Sequence, residues 1–333
     1  MRAAGGGAGA MRVLLAVDED SVLEDVVESL RWCVRFRAGD DVTVLHVSPA
    51  FGWMVRGRGV EGDAEAVEGA QDRKAERVLS AARRLLERWN ARAEYRSEQG
   101  HPATEILRMA QKRRVDLIVL GACGAEERGV LVGSTTQRVK ALAHAAVLVV
   151  RRGRPPDGHP LRAVLAVDGS AESIGAVESF ARFMRADCAD VRLVHAIDLP
   201  PTDGDRCGPH EPLDVAMLGN PAREQVDGAL AGALGVLRAH RIAAATEVRP
   251  GRAGAAILTA AMACRAHLTV VGSRGLSGVR GLLLGSAAQR VVRHGICSVL
   301  IGRRSPFGHP LPAAVERGLD ERLAMPAAGA PAR

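Results

Sequence analysis

The chain has 333 residues, a net charge of +7, and a composition that is 47% hydrophobic but 3% aromatic. That length suits two domains of about 150 residues, and the hydrophobic fraction excludes a largely disordered chain. All but three of the 45 basic residues are arginine, scattered among acids rather than interleaved with aromatics, so neither a nucleic-acid stripe nor a stacking platform for single strands is indicated.

The cysteines (Cys33, Cys123, Cys188, Cys207, Cys264 and Cys297) form no CxxC, as suits a reducing compartment. No uncharged apolar run reaches the roughly 18 to 20 residues of a membrane span, and the opening segment lacks a secretory core. The expectation is a soluble cytoplasmic protein with neither membrane nor nucleic acid as partner.

In chain order, residues 1–10 read as a flexible extension. Their "GGGAGA" follows no strand, which voids it as a dinucleotide fingerprint. Strands are expected near 12–18, 41–47, 93–98, 116–121 and 147–151, separated by segments of helical period, the pattern of βαβ units and a parallel sheet. The stretch "DRKAERVLSAARRLLERW" places Val78, Leu79, Ala82, Leu85, Leu86 and Trp89 on one helix face. Residues 49–70 are expected as a long loop.

Three prolines and two glycines in "RRGRPPDGHP" mark a linker, taken as 153–160. Beyond it the pattern starts again. "RVLLAVDEDS" at 12–21 recurs as "RAVLAVDGSA" at 162–171, "VTVLHVS" at 42–48 as "VRLVHAI" at 191–197, and "DLIVLGACG" at 116–124 as "HLTVVGSRG" at 267–275. "VGSTTQRV" at 132–139 recurs as "LGSAAQRV" at 284–291. One domain is therefore present twice, over 11–152 and 161–302. The second copy has its own helical stripe of Val226, Leu230, Leu234 and Leu237, and a second long loop is expected over 198–221. Residues 303–333 lose strand periodicity and read as a disordered tail with one short helix near 313–324.

Within "VVGSRGLSGVRGLLLGSAAQRVVRHG" at 270–295, Gly272 ends a strand and Gly285-Ser286 opens a helix. The loop between them belongs to the carboxyl edge of a parallel sheet, where ligands bind. Helix-start N–H groups lack intrahelical partners, and glycine lets an anion approach them, so a phosphate fits. The plainer alternative is that Gly272 and Gly275 permit positive φ and that Ser286 caps the helix.

The spacing G-x2-G-x9-G-S (Gly272, Gly275, Gly285, Ser286), with the opening "VLAVDGS" and the second-strand "LVHA", resembles the universal stress protein family. The likeness covers nearly all of 11–152 and 161–302. It implies an α/β fold of two tandem doubly wound five-stranded parallel-sheet domains, of the adenine nucleotide alpha hydrolase-like type. It also implies ATP, with or without Mg, and a dimer-like pairing made within the chain through "AVLVVRR" and "CSVLIGRR". Carried over residue by residue, Asp168 would bond the adenosine portion, the Ala196 backbone would read the adenine edge and Gly272 would lie against the ribose. The N–H groups around Gly275, Gly285 and Ala287, with the Ser286 hydroxyl, would hold phosphates, and Arg274 and Arg280 could add charge.

The first-half counterparts are Asp18, Val47, Gly121, Gly124, Gly133, Ser134 and Thr135. Here the loop departs from the family: eight residues, not nine, separate Gly124 from Gly133. Glu126 and Glu127 stand near the expected phosphate position, and Glu19 and Asp20 replace Gly169 and Ser170. Clustered acids disfavour a polyanion, so the second half is the expected site.

No G-x4-G-K-[ST] occurs, and Ser170 and Ser286 lack a G-x-S-x-G context. His46 and His195 lie within apolar strands and read as core histidines rather than metal ligands or bases. The expectation is an ATP-binding stress-response or regulatory protein with little or no turnover and no catalytic or metal residues. A nucleotide-independent interaction module of the same fold and a slow ATPase are the alternatives. Homo-oligomers and protein partners stay open.

Overall fold

The computed structural model describes residues 10–18, 23–49, 64–87, 92–122, 133–151, 160–185, 189–198, 212–215, 218–275 and 284–303. In the first half, β1 (Arg12–Val17), β2 (Asp41–Ser48), β3 (Arg92–Gln99), β4 (Leu117–Gly121) and β5 (Ala146–Val150) alternate with helices. These are α1 (Leu23–Cys33), α2 (Ala64–Leu86), α3 (Pro102–Lys112) and α4 (Ser134–Leu142). The second half repeats the order with β6 (Leu161–Ala166), α5 (Ala171–Phe183), β7 (Ala189–Ile197), α6 (Asn220–Ala239) and β8 (Ala245–Pro250). It continues through α7 (Ala253–Ala263), β9 (Leu268–Gly272), α8 (Ser286–His294) and β10 (Ser298–Gly302).

The strand boundaries depart from the sequence reading by single residues. The expected loops are shorter than predicted. α2 already begins at Ala64, because Ala, Glu and Gln favour helix before any apolar stripe appears. α6 takes in Asn220 and Pro221, since proline fits the first helical turn. Trp89, the linker 153–159, residues 1–9 and the tail beyond 303, with its expected helix near 313–324, lie outside the described residues.

The strands form one ten-stranded sheet in the order β3-β2-β1-β4-β5-β10-β9-β6-β7-β8. Pairing is parallel within each half. At the junction β5 meets β10 antiparallel, with Val147 opposite Ile301, Leu148 opposite Leu300 and Val149 opposite Val299. Both strands are buried along their length, and an apolar edge left open would invite association. Two like edges related by a twofold can meet only antiparallel, so the carboxyl edges of the two halves face opposite ways.

Side chains alternate across the sheet. Val13, Leu15 and Val17 join a core with α1, α2, α5 and α6 residues such as Leu30, Val78, Phe180 and Val226. Leu14 joins the opposite core with Ile106, Val139, Ile257 and Val291 from α3, α4, α7 and α8. The helical stripes read from sequence face the first core: Val78, Ala82, Leu86, Val226, Leu230 and Leu237 are buried, and Leu79, Leu85 and Leu234 pack against them.

The halves also meet beyond the sheet. Val34 and Met184 form an antiparallel bridge, with reciprocal bonds from Arg35 N to Phe183 O (2.9 Å) and from Arg185 N to Cys33 O (2.8 Å). Asp116 is 3% exposed; it accepts the Arg12 N–H at 2.9 Å and an Arg182 Nη2 hydrogen from the other half at 3.3 Å. Its counterpart His267 accepts the Arg162 N–H at 3.1 Å and stands edge-on to Trp32 across the same seam, the ring centres 6.3 Å apart.

Candidate functional site

In each half the first strand pairs with the second on one side and the fourth on the other. The chain leaving β1 enters α1 on one face, while the chain leaving β4 enters α4 on the other. A cleft opens where they part. The second-half cleft, about 340 Å³, gathers Asp168, Ala196, Gly272, Arg274, Gly275, Gly285, Ser286 and Ala287. The first-half cleft, about 280 Å³, gathers Asp18, Val47, Gly121, Gly133, Ser134 and Thr135. Gly124, Glu126, Glu127 and Arg280 lie outside the described residues.

In each half a buried histidine holds the end of the first strand. His195 Nδ1 donates to Val167 O at 2.9 Å, and His46 Nδ1 donates to Val17 O at 3.1 Å. A carbonyl can only accept, so Nδ1 carries the proton. The peptide before Asp168 or Asp18 is thereby fixed at the end of the first strand. From there the halves diverge. Asp168 Oδ1 accepts from both the N–H (3.0 Å) and the hydroxyl (2.5 Å) of Ser170, whose Oγ in turn accepts the Ser173 N–H at 3.2 Å and caps α5. Gly169 turns the chain there with φ +82°, a left-handed conformation that glycine adopts without steric cost. Asp18 is exposed, and its Oδ1 lies 3.4 Å from Lys74 Nζ of α2.

Gly272 and Gly275 do not adopt positive φ. They are required for close approach instead. A Cβ at Gly272 would come within 3.0 Å of the Glu172 backbone and of Arg274 O, and one at Gly275 within 2.5 Å of Asp168 Oδ2. The alternative of a cap at Ser286 is also corrected. The extended residue before α8 is Gly285 (φ −67°, ψ 153°), whose N–H donates to Ser273 O at 2.8 Å, so Ser286 is already helical. Gly133 plays the same part before α4, donating to Ala122 O at 3.0 Å. Neither helix start has a side-chain cap. The first-turn N–H groups therefore present partial positive charge to the cleft without a protein acceptor from a cap.

Arg274 is exposed at the second cleft. Behind it, burial and then the Arg274 charge push the Arg303 guanidinium down to about 10, so it stays protonated at neutral pH. The apolar floor, formed by Ala166, Val194 and Val271 with Ala253 and Ile257 of α7, was not read from the sequence. Pro102 and Ile106 of α3 do the same in the first half. The signal was available as an i, i+4 apolar pair opening the helix after the third strand of each half. Thr136, also unread, donates from Oγ1 to Gly121 O at 2.9 Å.

Among the described lining residues of the second cleft, the titratable groups are Asp168 and Arg274. Among the described residues, no three His, Cys, Asp or Glu gather to hold a metal, and no helix is long and apolar enough to cross a membrane. The arrangement offers amide donors, a cation and an apolar floor. It can hold an anion joined to a flat apolar group.

The Universal stress protein family profile matches residues 10–151 and 161–303. A universal stress protein of Methanocaldococcus jannaschii is 33% identical over 113 residues, covering 33% of this chain and 63% of that protein. One of Thermus aquaticus is 49% identical over 53 residues, covering 16% and 39%. The chain thus spans less than two thirds of either relative's length. Among solved structures, a universal stress protein from Archaeoglobus fulgidus superposes with a TM-score of 0.62 at 21% identity, over 88% of this chain and 98% of that one. A functionally unknown protein from Pseudomonas aeruginosa gives 0.58 at 14% identity, over 94% and 98%. These two likenesses establish the fold.

Proposed function

This chain belongs to the universal stress protein family, and from that premise we propose that it is a stress-response protein that holds ATP in the second-half cleft and turns it over slowly if at all. The observation that carries the reading is the uncapped first turn of α8, opening onto a cleft that also contains Arg274 and an apolar floor. The cleft volume lies within the range of about 300–1,000 Å³ usual for small-molecule sites. The N–H groups of Ser286 and Ala287, with the Ser286 hydroxyl, would receive phosphate oxygens, and Arg274 would neutralise charge. The adenine would rest on Val194, Val271 and Ile257 beside the Ala196 backbone. A magnesium ion accompanying the nucleotide would take phosphate oxygens and water rather than a protein cage.

Asp168 has a double part in this reading. Its Oδ1 holds the start of α5 while its Oδ2 lies against Gly275, so it sets the shape of the loop as well as facing the ligand. Among the described lining residues the one carboxylate is Asp168, whose Oδ1 is occupied by Ser170, and this favours binding without rapid chemistry.

A specific observation favours the second reading, a nucleotide-independent interaction module: Gly272 and Gly275 are already required by contacts of the protein with itself. That reading leaves the convergence of Arg274, the α8 start and the apolar floor on one cleft without a reason. Calorimetry with ATP on the full chain separates the two. One equivalent bound per chain supports the nucleotide reading, and no heat at about 1 mM ATP, where affinity falls below roughly −4 kcal/mol, rejects it. Turnover near the usual enzyme median of about 10 per second would reject slow chemistry.

A further inference from the structure

The ten-stranded sheet ends in β3 on one side and β8 on the other, and the two end strands are finished differently. The Arg92 N–H donates to Asp40 O at 3.2 Å and the Gly100 N–H to Ser48 O at 2.9 Å, so the even-numbered residues of β3 turn their backbone groups towards β2. Parallel pairing then points the N–H and C=O groups of Ala93, Tyr95, Ser97 and Gln99 outward. In β8 the Gly251 N–H donates inward to Ile197 O at 2.7 Å, which sets Val248 and Pro250 outward. There the chain closes its own edge. Val248 O accepts the Leu213 N–H at 2.7 Å, and Pro250 has no N–H to offer. In the repeat these positions are Ser97 and Gln99, which keep both backbone groups. Among the described residues, β3 pairs with β2 alone.

The residues bonded inward carry a pattern of charge. Arg92, Glu94, Arg96 and Glu98 alternate in sign along one side of the strand. Reversed about Tyr95, this pattern is its own complement: Arg92 falls opposite Glu98 of a second copy, and Glu94 opposite Arg96. These are the non-hydrogen-bonded pairs, in which Cα atoms come within about 4.5 Å and side chains are closest. Moving the axis by one residue spoils the match. About Glu94, Arg92 would face Arg96, and about Arg96, Glu94 would face Glu98. Within the chain Glu94 already meets Arg96 and, at 2.8 Å, Arg113, yet the Glu94 and Arg96 side chains stay 42% and 46% exposed and open to a further strand.

We infer that β3 is a docking edge for a second copy of this chain, the two strands pairing antiparallel about Tyr95 so that the sheet continues through a twofold. Ala93 exchanges backbone bonds with Ser97 of the other copy, and Tyr95 with its own counterpart. The Tyr95 rings then lie side by side across the axis, each beneath the Arg83 guanidinium that stands 4.7 Å from its centre. Backbone groups supply the attraction of an open edge, and the alternating charges fix the register.

The test is sedimentation of the full chain from about 5 to 200 μM, a span that reads micromolar Kd values. Wild-type protein should pass from monomer to dimer. Ser97→Pro removes an outward N–H and no bond to β2, so it should weaken the dimer about 10-fold or more and leave the unfolding midpoint of dilute protein unchanged. Glu98→Arg should weaken the dimer by facing Arg92, and adding Arg92→Glu should restore it, since the swap rebuilds the pair with its signs exchanged. The chain has one tyrosine, so ruthenium–persulfate photo-oxidation should give a dityrosine-linked dimer that Ser97→Pro loses. The proposal is refuted if wild-type protein stays monomeric throughout, or if Ser97→Pro leaves a dimer intact, which would place the contact on another surface. A dimer weakened by Ser97→Pro and by Glu98→Arg but not restored by the charge swap would overturn the register about Tyr95.

Discussion

Asp18 and Asp168 leave the first strand of their halves at equivalent points, each after a peptide pinned by a buried histidine. Asp168 is gripped by Ser170 and set against Gly275, whereas Asp18 is 69% exposed and reaches towards Lys74. The backbone frame is the same, down to an uncapped helix start behind a glycine. The difference lies in the two residues after the aspartate: Gly169 supplies the left-handed turn and Ser170 the cap, where the first half has Glu19 and Asp20. A shared fold therefore secures where a ligand would sit, and the local turn decides how firmly its contacts are held in advance.

The comparison can be broken at the seam first. Asp116→Ala strands the Arg12 amide and the Arg182 guanidinium, and should cost about 3 kcal/mol by chemical denaturation. His267→Ala, its counterpart, strands the Arg162 amide and loses the Trp32 contact, and should cost about 2 kcal/mol. Equal losses would show that the seam loads both halves alike.

Next in size is nucleotide binding. Gly285→Val should weaken ATP by about 100-fold, or roughly 2.7 kcal/mol, by crowding Arg274 and narrowing the approach to the helix start. Gly133→Val, with its nearest added contact 3.9 Å away at Ala122 O, should leave the tight site unchanged. Calorimetry showing the reverse order would move the site to the first half.

The third comparison is Lys140, 4% exposed in the last turn of α4, against its apolar counterpart in the repeat, Val292. The folded-state value of Lys140 is about 8 against an ordinary 10.5, so between these values the unfolded chain holds more protons and wild-type stability rises with pH. Lys140→Met should stabilise by about 1–2 kcal/mol below pH 8, a gain that shrinks through this window and vanishes above it. A gain that is constant from pH 7 to pH 11 would mean improved packing rather than removal of a charge. The smallest contrast is at the strand ends: Asp168→Ala should lose about 1 kcal/mol with its hold on Ser170, while Asp18→Ala should stay within about 0.5 kcal/mol, as exposed ion pairs do.

Much of this frame was legible in the sequence because its signals are local. Short β-branched apolar runs marked the strands, and the repeat of "VLHVS" and "LVHAI" marked equivalent histidines. The line-up of Gly272, Gly275, Gly285 and Ser286 on one cleft followed from strand-loop-helix order, although the reason for two of those glycines did not. Close contact of Gly272 with Glu172 joins residues a hundred positions apart, and no spacing rule reports it. The same holds for the Arg151 guanidinium on Val292 O and Arg182 on Asp116, which depend on how the two halves face each other. The early start of α2 was missed for another reason: residues 64–71 are helical through Ala, Glu and Gln propensity, with hardly any apolar stripe to reveal it.

The antiparallel contact of β5 with β10 has a consequence for how such a chain can change. In a homodimer every substitution is made twice, and a lysine placed near the axis must face its own copy. Here the partner surface is encoded separately. Lysine can stand at 140 while valine stands at 292, and aspartate at 116 while histidine stands at 267. The short connection between β5 and β6 keeps the edges at high effective concentration, so neither half need be sticky enough to find the other from solution. Freed from self-complementarity, one half can drift towards a scaffold while the other keeps a ligand.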